Sequence, residues 1–191
     1  MANYFRCDTT FIKEAEKGRL YSTKPSTDIE LPNGVFGFLG DKISGKEEIR
    51  TLVEPTADLI KNEVPVVIHN PEINYRQELS TDNALGIYRN EVGKVLRTYP
   101  LSKYDEIALS EDYFDLTGKT NGKIEEGDIF ALQTNLIAGS QLKYSATAPT
   151  NAKVYFKVNK VENSHKAVFV SGNGQLFPEA YKLVYVEVIF A

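Results

Sequence analysis

The stretch VPVVIHNPEINYRQE, Val64 to Glu78, carries one of the chain's two histidines, His69, with a carboxylate three residues on at Glu72. An imidazole next to a carboxylate can serve as a general base or as half of a metal site. H-x-x-E sets two ligands on one face only in a helix, and here Pro71 stands between them with β-like flanks, so the geometry is wrong. The other histidine, His165, falls in the turn-like ENSHK, and the single cysteine, Cys7, lies near the N-terminus. No local spacing gathers zinc ligands, and His69 reads as a strand-end or loop residue.

A phosphate-binding loop is the nearest miss. Gly40-Asp-Lys-Ile-Ser-Gly45-Lys46 satisfies G-x-x-x-x-G-K and follows the apolar VFGFL. The next residue is Glu47, where magnesium needs a Ser or Thr hydroxyl, and Glu48 adds a second acid that would repel phosphate. The following EEIRTLVEPTADL reads as a strand stopped at Pro55, not as a helix presenting its amides. A glycine turn between two strands is the expected structure.

Acids cluster at Glu111, Asp112 and Asp115, and again at Glu125, Glu126 and Asp128, around the stretch DLTGKTNGK. Carboxylate pairs can hydrolyse glycosides or hold calcium, but the alternating order of a calcium loop is absent. A solvated loop is expected, with weak metal binding as the alternative. There is no G-x-S-x-G elbow and no dinucleotide fingerprint. The eleven Tyr and ten Phe, with no Trp, are scattered through the chain and suit core and interface use better than a stacking platform. No catalytic, cofactor-binding or metal-ligating residue is assigned, and a non-enzymatic role is expected.

The elements that would carry these residues are mainly strands. Short period-two or apolar runs between Gly, Pro, Asn and Asp clusters predict strands at Val35–Leu39, Ile49–Glu54, Val64–His69, Gly93–Tyr99, Glu106–Leu109, Asp128–Thr134 and Gln141–Ala146. More follow at Lys153–Val161, Ala167–Val170 and Tyr181–Phe190. Only Thr9–Lys17 carries helix marks, with Asp8 or Thr9 as a cap and Gly18 as a stop. STKPSTDIELPN, from Ser22 to Asn33, suits an extended connector. The expected organisation is an N-terminal arm with a short helix over residues 1–33 and a β-rich domain, sandwich or barrel-like, over residues 34–191. The last strand is apolar on both faces, so it sits centrally in the fold or against another subunit.

At 191 residues, 42% hydrophobic and 25% charged, the chain is long and apolar enough to fold alone. A formal net charge of -4 gives no electrostatic reason to expect nucleic acid or an anionic membrane as partner. A lone cysteine and the absence of N-x-[ST] sequons suit a reducing cytoplasm, and MANYFRCDTTFIKEAEK does not read as a secretory signal.

The order of landmarks carries a resemblance. VFGFLGD, with Gly40 and Asp41, is followed by IRTLVEPTAD and then by VPVVIHNPEINY, with Pro71, Glu72 and Tyr75. EVGKVLRTYPL comes next, with Gly93, Lys94, Arg97 and Tyr99, and then EGDIFALQ, with Gly127, Asp128 and Phe130. A β-rich tail with VYFKVNKV and LVYVEVIF closes the chain. From about Val35 onward this succession resembles the head decoration, or capsid cement, proteins of tailed bacteriophages, as in phages of Gram-positive hosts.

The resemblance implies a structural virion protein, assembled in the host cytoplasm, that binds the outside of the phage head and stabilises contacts between major capsid protein subunits. The implied partners are the major capsid protein and the chain itself as a homo-oligomer, a trimer included. It implies no cofactor and no catalytic residue. Tyr75 and Arg76 are then available for contacts. The alternative is a glycan- or receptor-binding β-sandwich module, supported by the tyrosines and the acidic loop. A hydrolase or isomerase using His69 or the acids ranks last.

Overall fold

The computed structural model describes residues 6–9, 12–71, 89–134, 141–169 and 176–191. It is mainly β, as the alternation predicts, and it is built from two sheets. The first is a closed five-stranded barrel. Its strands are β2 (Tyr21–Pro25), β3 (Phe36–Ile43), β4 (Lys46–Val53), β5 (Val66–Ile68) and β6 (Leu96–Pro100), in the order β2-β4-β3-β5-β6. All pairings are antiparallel except β2 with β4, and β2 closes the ring on β6 through Tyr21 opposite Thr98.

The second sheet has seven strands. They are β1 (Cys7–Asp8), β7 (Glu106–Ser110), β8 (Phe114–Asp115), β9 (Ile129–Leu132), β10 (Leu142–Ser145), β11 (Val154–Phe169) and β12 (Leu176–Phe190). Their order is β1-β7-β12-β11-β9-β10-β8. The C-terminal strand is therefore central, between β7 and β11. Its alternation buries Val184, Val186 and Val188 in the main core, while Leu183 and Tyr181 pack with Ala108 in a smaller cluster on the other face.

The run VFGFL is apolar on both faces because β3 has a core on each side. Phe36 and Phe38 face the seven-stranded sheet, and Phe36 lies 4.9 Å from Phe156 between ring centroids. Val35 and Leu39 face the barrel interior with Leu31, Leu52, Val66, Ile68 and Leu96. Gln141, fully buried, ties the sheets a second time. Its amide donates to the Phe36 carbonyl at 2.7 Å, and its carbonyl accepts from the Phe36 N–H at 2.9 Å. The side chain completes the ladder where no strand reaches.

The structure differs from the sequence reading at several points. Helix α1 spans only Lys13–Glu16, not Thr9–Lys17; Gly18, at φ 67, does follow it closely. A second helix, α2 (Ala57–Asn62), follows Pro55, capped by Thr56, whose hydroxyl accepts from the Leu59 N–H. Part of the polar connector, Ser22 to Pro25, is paired strand in the barrel, and Cys7–Asp8 pairs with β7. ENSHK is not a turn but the middle of β11, which from Val154 to Phe169 joins the two strands expected at Lys153–Val161 and Ala167–Val170; Val170 lies outside the described residues.

Inside the barrel, Thr23 is fully buried and its hydroxyl has no hydrogen-bond partner among the described residues. A buried polar atom left unpaired costs about 1–3 kcal/mol, and valine has nearly the same shape. Thr23→Val is expected to raise stability by about 1 kcal/mol in urea unfolding. A loss of stability would mean that the hydroxyl is bonded after all.

Candidate functional site

His69 lies just past the end of β5, and its N–H donates to the Arg97 carbonyl of β6 at 3.0 Å. The fold brings it next to β1, which sequence spacing could not foresee. Its ring hydrogen bonds the backbone of Cys7 and feels the Asp8 carboxylate. Burial pushes the imidazole pKa below its ordinary value, and these two neighbours only partly oppose that. Cys7 is itself buried. Among the described residues no group of three or more His, Cys, Asp and Glu is placed to hold a metal ion. Glu72, Tyr75 and Arg76 lie outside the described residues. His165 sits far along β11 opposite Ala180, and its backbone is in strand pairing.

A neutral His69 therefore fastens β1 to the barrel. Because its folded pKa is depressed, the unfolded chain takes up the proton first as pH falls. The stabilisation is complete above the unfolded value of about 6.5 and is lost as pH drops through it toward the folded value. Denaturant melts between pH 8 and 5 should show wild type losing more stability than His69→Gln. Equal slopes would remove His69 from the acid response.

The phosphate-loop look-alike is a hairpin turn. Ile43 faces Lys46 across Ser44 and Gly45, and Gly45 takes φ 75, a conformation that suits glycine at the third turn position. Gly40 lies within β3, against Val53 and Thr51, so no amide cradle forms there.

The acidic loop is organised by a cation from the chain itself. Lys119 Nζ is nearly buried, pairs with Asp128, and reaches Glu125 at 3.3 Å beneath the Tyr144 ring at 5.5 Å. Burial would lower its pKa, but the hydrogen bonds to Asp128 and Glu125 outweigh that and hold it above the usual lysine value. Asp128 also accepts from the Glu125 N–H at 2.7 Å. Asp115 is held below the usual carboxylate range by hydrogen bonds from Thr117 and, more weakly, Gln133. Glu111 accepts from the Lys182 N–H at 3.4 Å.

This loop is thus an internal ion-paired turn in which the Lys119 ammonium occupies the centre a metal would need. Lys119→Met should cost about 2 kcal/mol, less than a fully buried pair because Glu125 remains exposed to water. Thermal melts with and without millimolar calcium would check it. An unchanged melting temperature would show that the pair contributes nothing.

A third polar cluster joins the barrel's loops. Asn33, at 1% exposure, donates to the Asn70 carbonyl at 2.8 Å and accepts from the Asn70 N–H at 2.9 Å. Asn90 donates to the Leu31 carbonyl at 2.8 Å and is bonded to both Asn33 and Asn70. Asn70 accepts from the Arg97 N–H at 2.6 Å. These amides spend their hydrogen-bonding capacity on the fold.

The remaining feature is the β11–β12 ribbon, which the sequence reading missed by placing a turn at ENSHK. Past Val158 β11 leaves β9, and before Leu183 β12 has not yet met β7. The two strands continue as a pair, from Lys160 and Tyr185 out to Phe169 and Leu176. The ten residues of β11 from Lys160 to Phe169, about 30 Å of strand, all lie beyond the β9 pairing. Beyond Val158 on β11 and before Leu183 on β12, no described strand pairs with the long edges of this ribbon. The outermost pairs are apolar in composition: Ala167 with Pro178, Val168 with Phe177 and Phe169 with Leu176.

Comparison with protein-family models, with characterised proteins and with solved structures finds no match to this chain.

Proposed function

We propose that this chain is a structural virion protein, a capsid decoration subunit that binds the outer surface of a phage head and stabilises contacts between major capsid protein subunits. The observation that carries the reading is the projecting β11–β12 ribbon. A two-stranded hairpin is marginal alone in water, so one that runs past its own sheet gains most by lying on another surface.

The chemistry-bearing side chains point the same way. His69 seats β1, Lys119 neutralises the acidic loop, and the asparagines bind backbone. A protein used in many copies needs no tight single contact, since avidity multiplies weak ones. The order of strand and turn phrases from Val35 onward supplies the capsid as the surface.

Co-sedimentation with empty shells of the major capsid protein from the same source tests this. Saturable binding at a fixed number of copies per shell is the expected result. A folded protein that stays in the supernatant at micromolar concentration, with intact shells, would overturn the reading. Binding to a glycan array instead would establish a glycan-binding module.

A further inference from the structure

We propose that the free edge of β11 pairs antiparallel with the same edge of a second copy of this chain, about a two-fold axis at Ser164. The result is a continuous four-stranded sheet in the order β12-β11-β11-β12 across the dimer. The inference goes beyond attachment to a shell, and its test reads self-association alone.

The two ribbon edges are not equivalent. β12 carries Pro178 in its free segment, which removes a ladder donor and blunts that edge. β11 from Lys160 to Phe169 reads KVENSHKAVF, with neither proline nor glycine, so every residue keeps its N–H and C=O. Alternate residues direct these groups away from β12, and beyond Val158 no described strand receives them. Such an edge is a template for strand addition.

Charge selects the partner and the register. In antiparallel pairing centred on Ser164, Glu162 of each copy stands opposite Lys166 of the other, so the two-fold makes two opposite-charge pairs. Val161 then faces Ala167 and Lys160 faces Val168. Slipping the centre by half a residue either way sets Glu162 against His165 or Ala167, and slipping one full residue toward the N-terminus sets Lys160 against Lys166. The Glu162 carboxylate is already oriented on this strand, since it accepts from the Tyr185 hydroxyl at 3.0 Å and pairs with Lys160. A self-complementary edge of this kind is what an isologous two-fold contact requires.

Sedimentation equilibrium on the full chain is the experiment, with thermal melts confirming that each variant folds. Wild type should show a monomer–dimer equilibrium. Glu162→Lys alone and Lys166→Glu alone each turn both cross-pairs into like-charge pairs and should weaken dimerisation about tenfold. An equimolar mixture of the two variants restores both opposite-charge pairs and should dimerise like wild type, as should the double swap within one chain. A monomeric wild type, a trimer, or a dimer indifferent to both single swaps would overturn the proposal.

Discussion

Replacing Phe156 with alanine is expected to lower stability by about 3–5 kcal/mol and to loosen the barrel and the seven-stranded sheet together. Phe156 is fully buried at a crossing point. Within its sheet it is paired with Phe130 of β9 and Val188 of β12, and its ring lies 4.9 Å from that of Phe36 in the barrel. Truncation therefore leaves a cavity lined by both sheets, and β strands held in register on each side cannot close it easily. Since a domain of this size has about 5–15 kcal/mol in all, the loss is a large share. Urea unfolding followed by Tyr fluorescence and by far-UV circular dichroism should give coincident, equally shifted curves. Separate curves, with only one of them moved, would mean that the two sheets unfold independently and that the Phe36–Phe156 contact does not couple them.

The sheet strands were legible where one or both faces are fully buried. EIALS, IFAL and LVYVEVIF show the alternation or the double apolar face that burial imposes, and each is found within a residue or two of its expected place, save that β12 begins five residues earlier, at Leu176. What stayed hidden was strand made by pairing alone. Ser22 to Pro25 is polar, yet β4 and β6 supply ladders on both sides. ENSHK carries no strand preference, yet β12 runs opposite it residue by residue. Tertiary context overrides propensity in both. Helix α2 was legible in principle: Pro55 stops the strand, Thr56 caps, and Asp58 enters the first turn, but six residues are too few for a periodicity to show.

The candidate site divides in the same way. The glycine hairpin at Ser44–Gly45 followed from Glu47 and Glu48 spoiling a phosphate loop, and no structure was needed to reject it. The acids around DLTGKTNGK were noticed, but not that Lys119 would fold back among them, because only the loop's closure brings residues 119, 125 and 128 together. The ribbon was missed for the reason ENSHK was missed. ENSHK is polar and writes no hydrophobic period into the sequence, so an interaction element of this type is read from register and edges rather than from hydropathy.

Gly34→Ala is expected to be nearly as damaging as the loss of Phe156, at about 4 kcal/mol, and for a different reason. Gly34 holds φ 84, the left-handed region where a side chain is strained, while its N–H donates to the Ile68 carbonyl at 2.7 Å. A Cβ there would stand 2.8 Å from Cys7 Cβ and 2.8 Å from the Tyr113 hydroxyl. Cys7 belongs to β1, and the Tyr113 hydroxyl donates to the Asn33 carbonyl, so the methyl would press apart the N-terminal strand, the barrel and the turn before β8 at one point. Moving Tyr113 aside would strand that buried carbonyl. Gly93→Ala is the control: Gly93 has φ 77 but no described atom within 4 Å of the added carbon, so the conformational strain is the expected cost, about 1–2 kcal/mol. Chemical denaturation of both variants separates strain from collision. If Gly34→Ala costs no more than Gly93→Ala, the three elements yield at that point, and β1 is held by His69 and the β7 ladder rather than by close packing on Gly34.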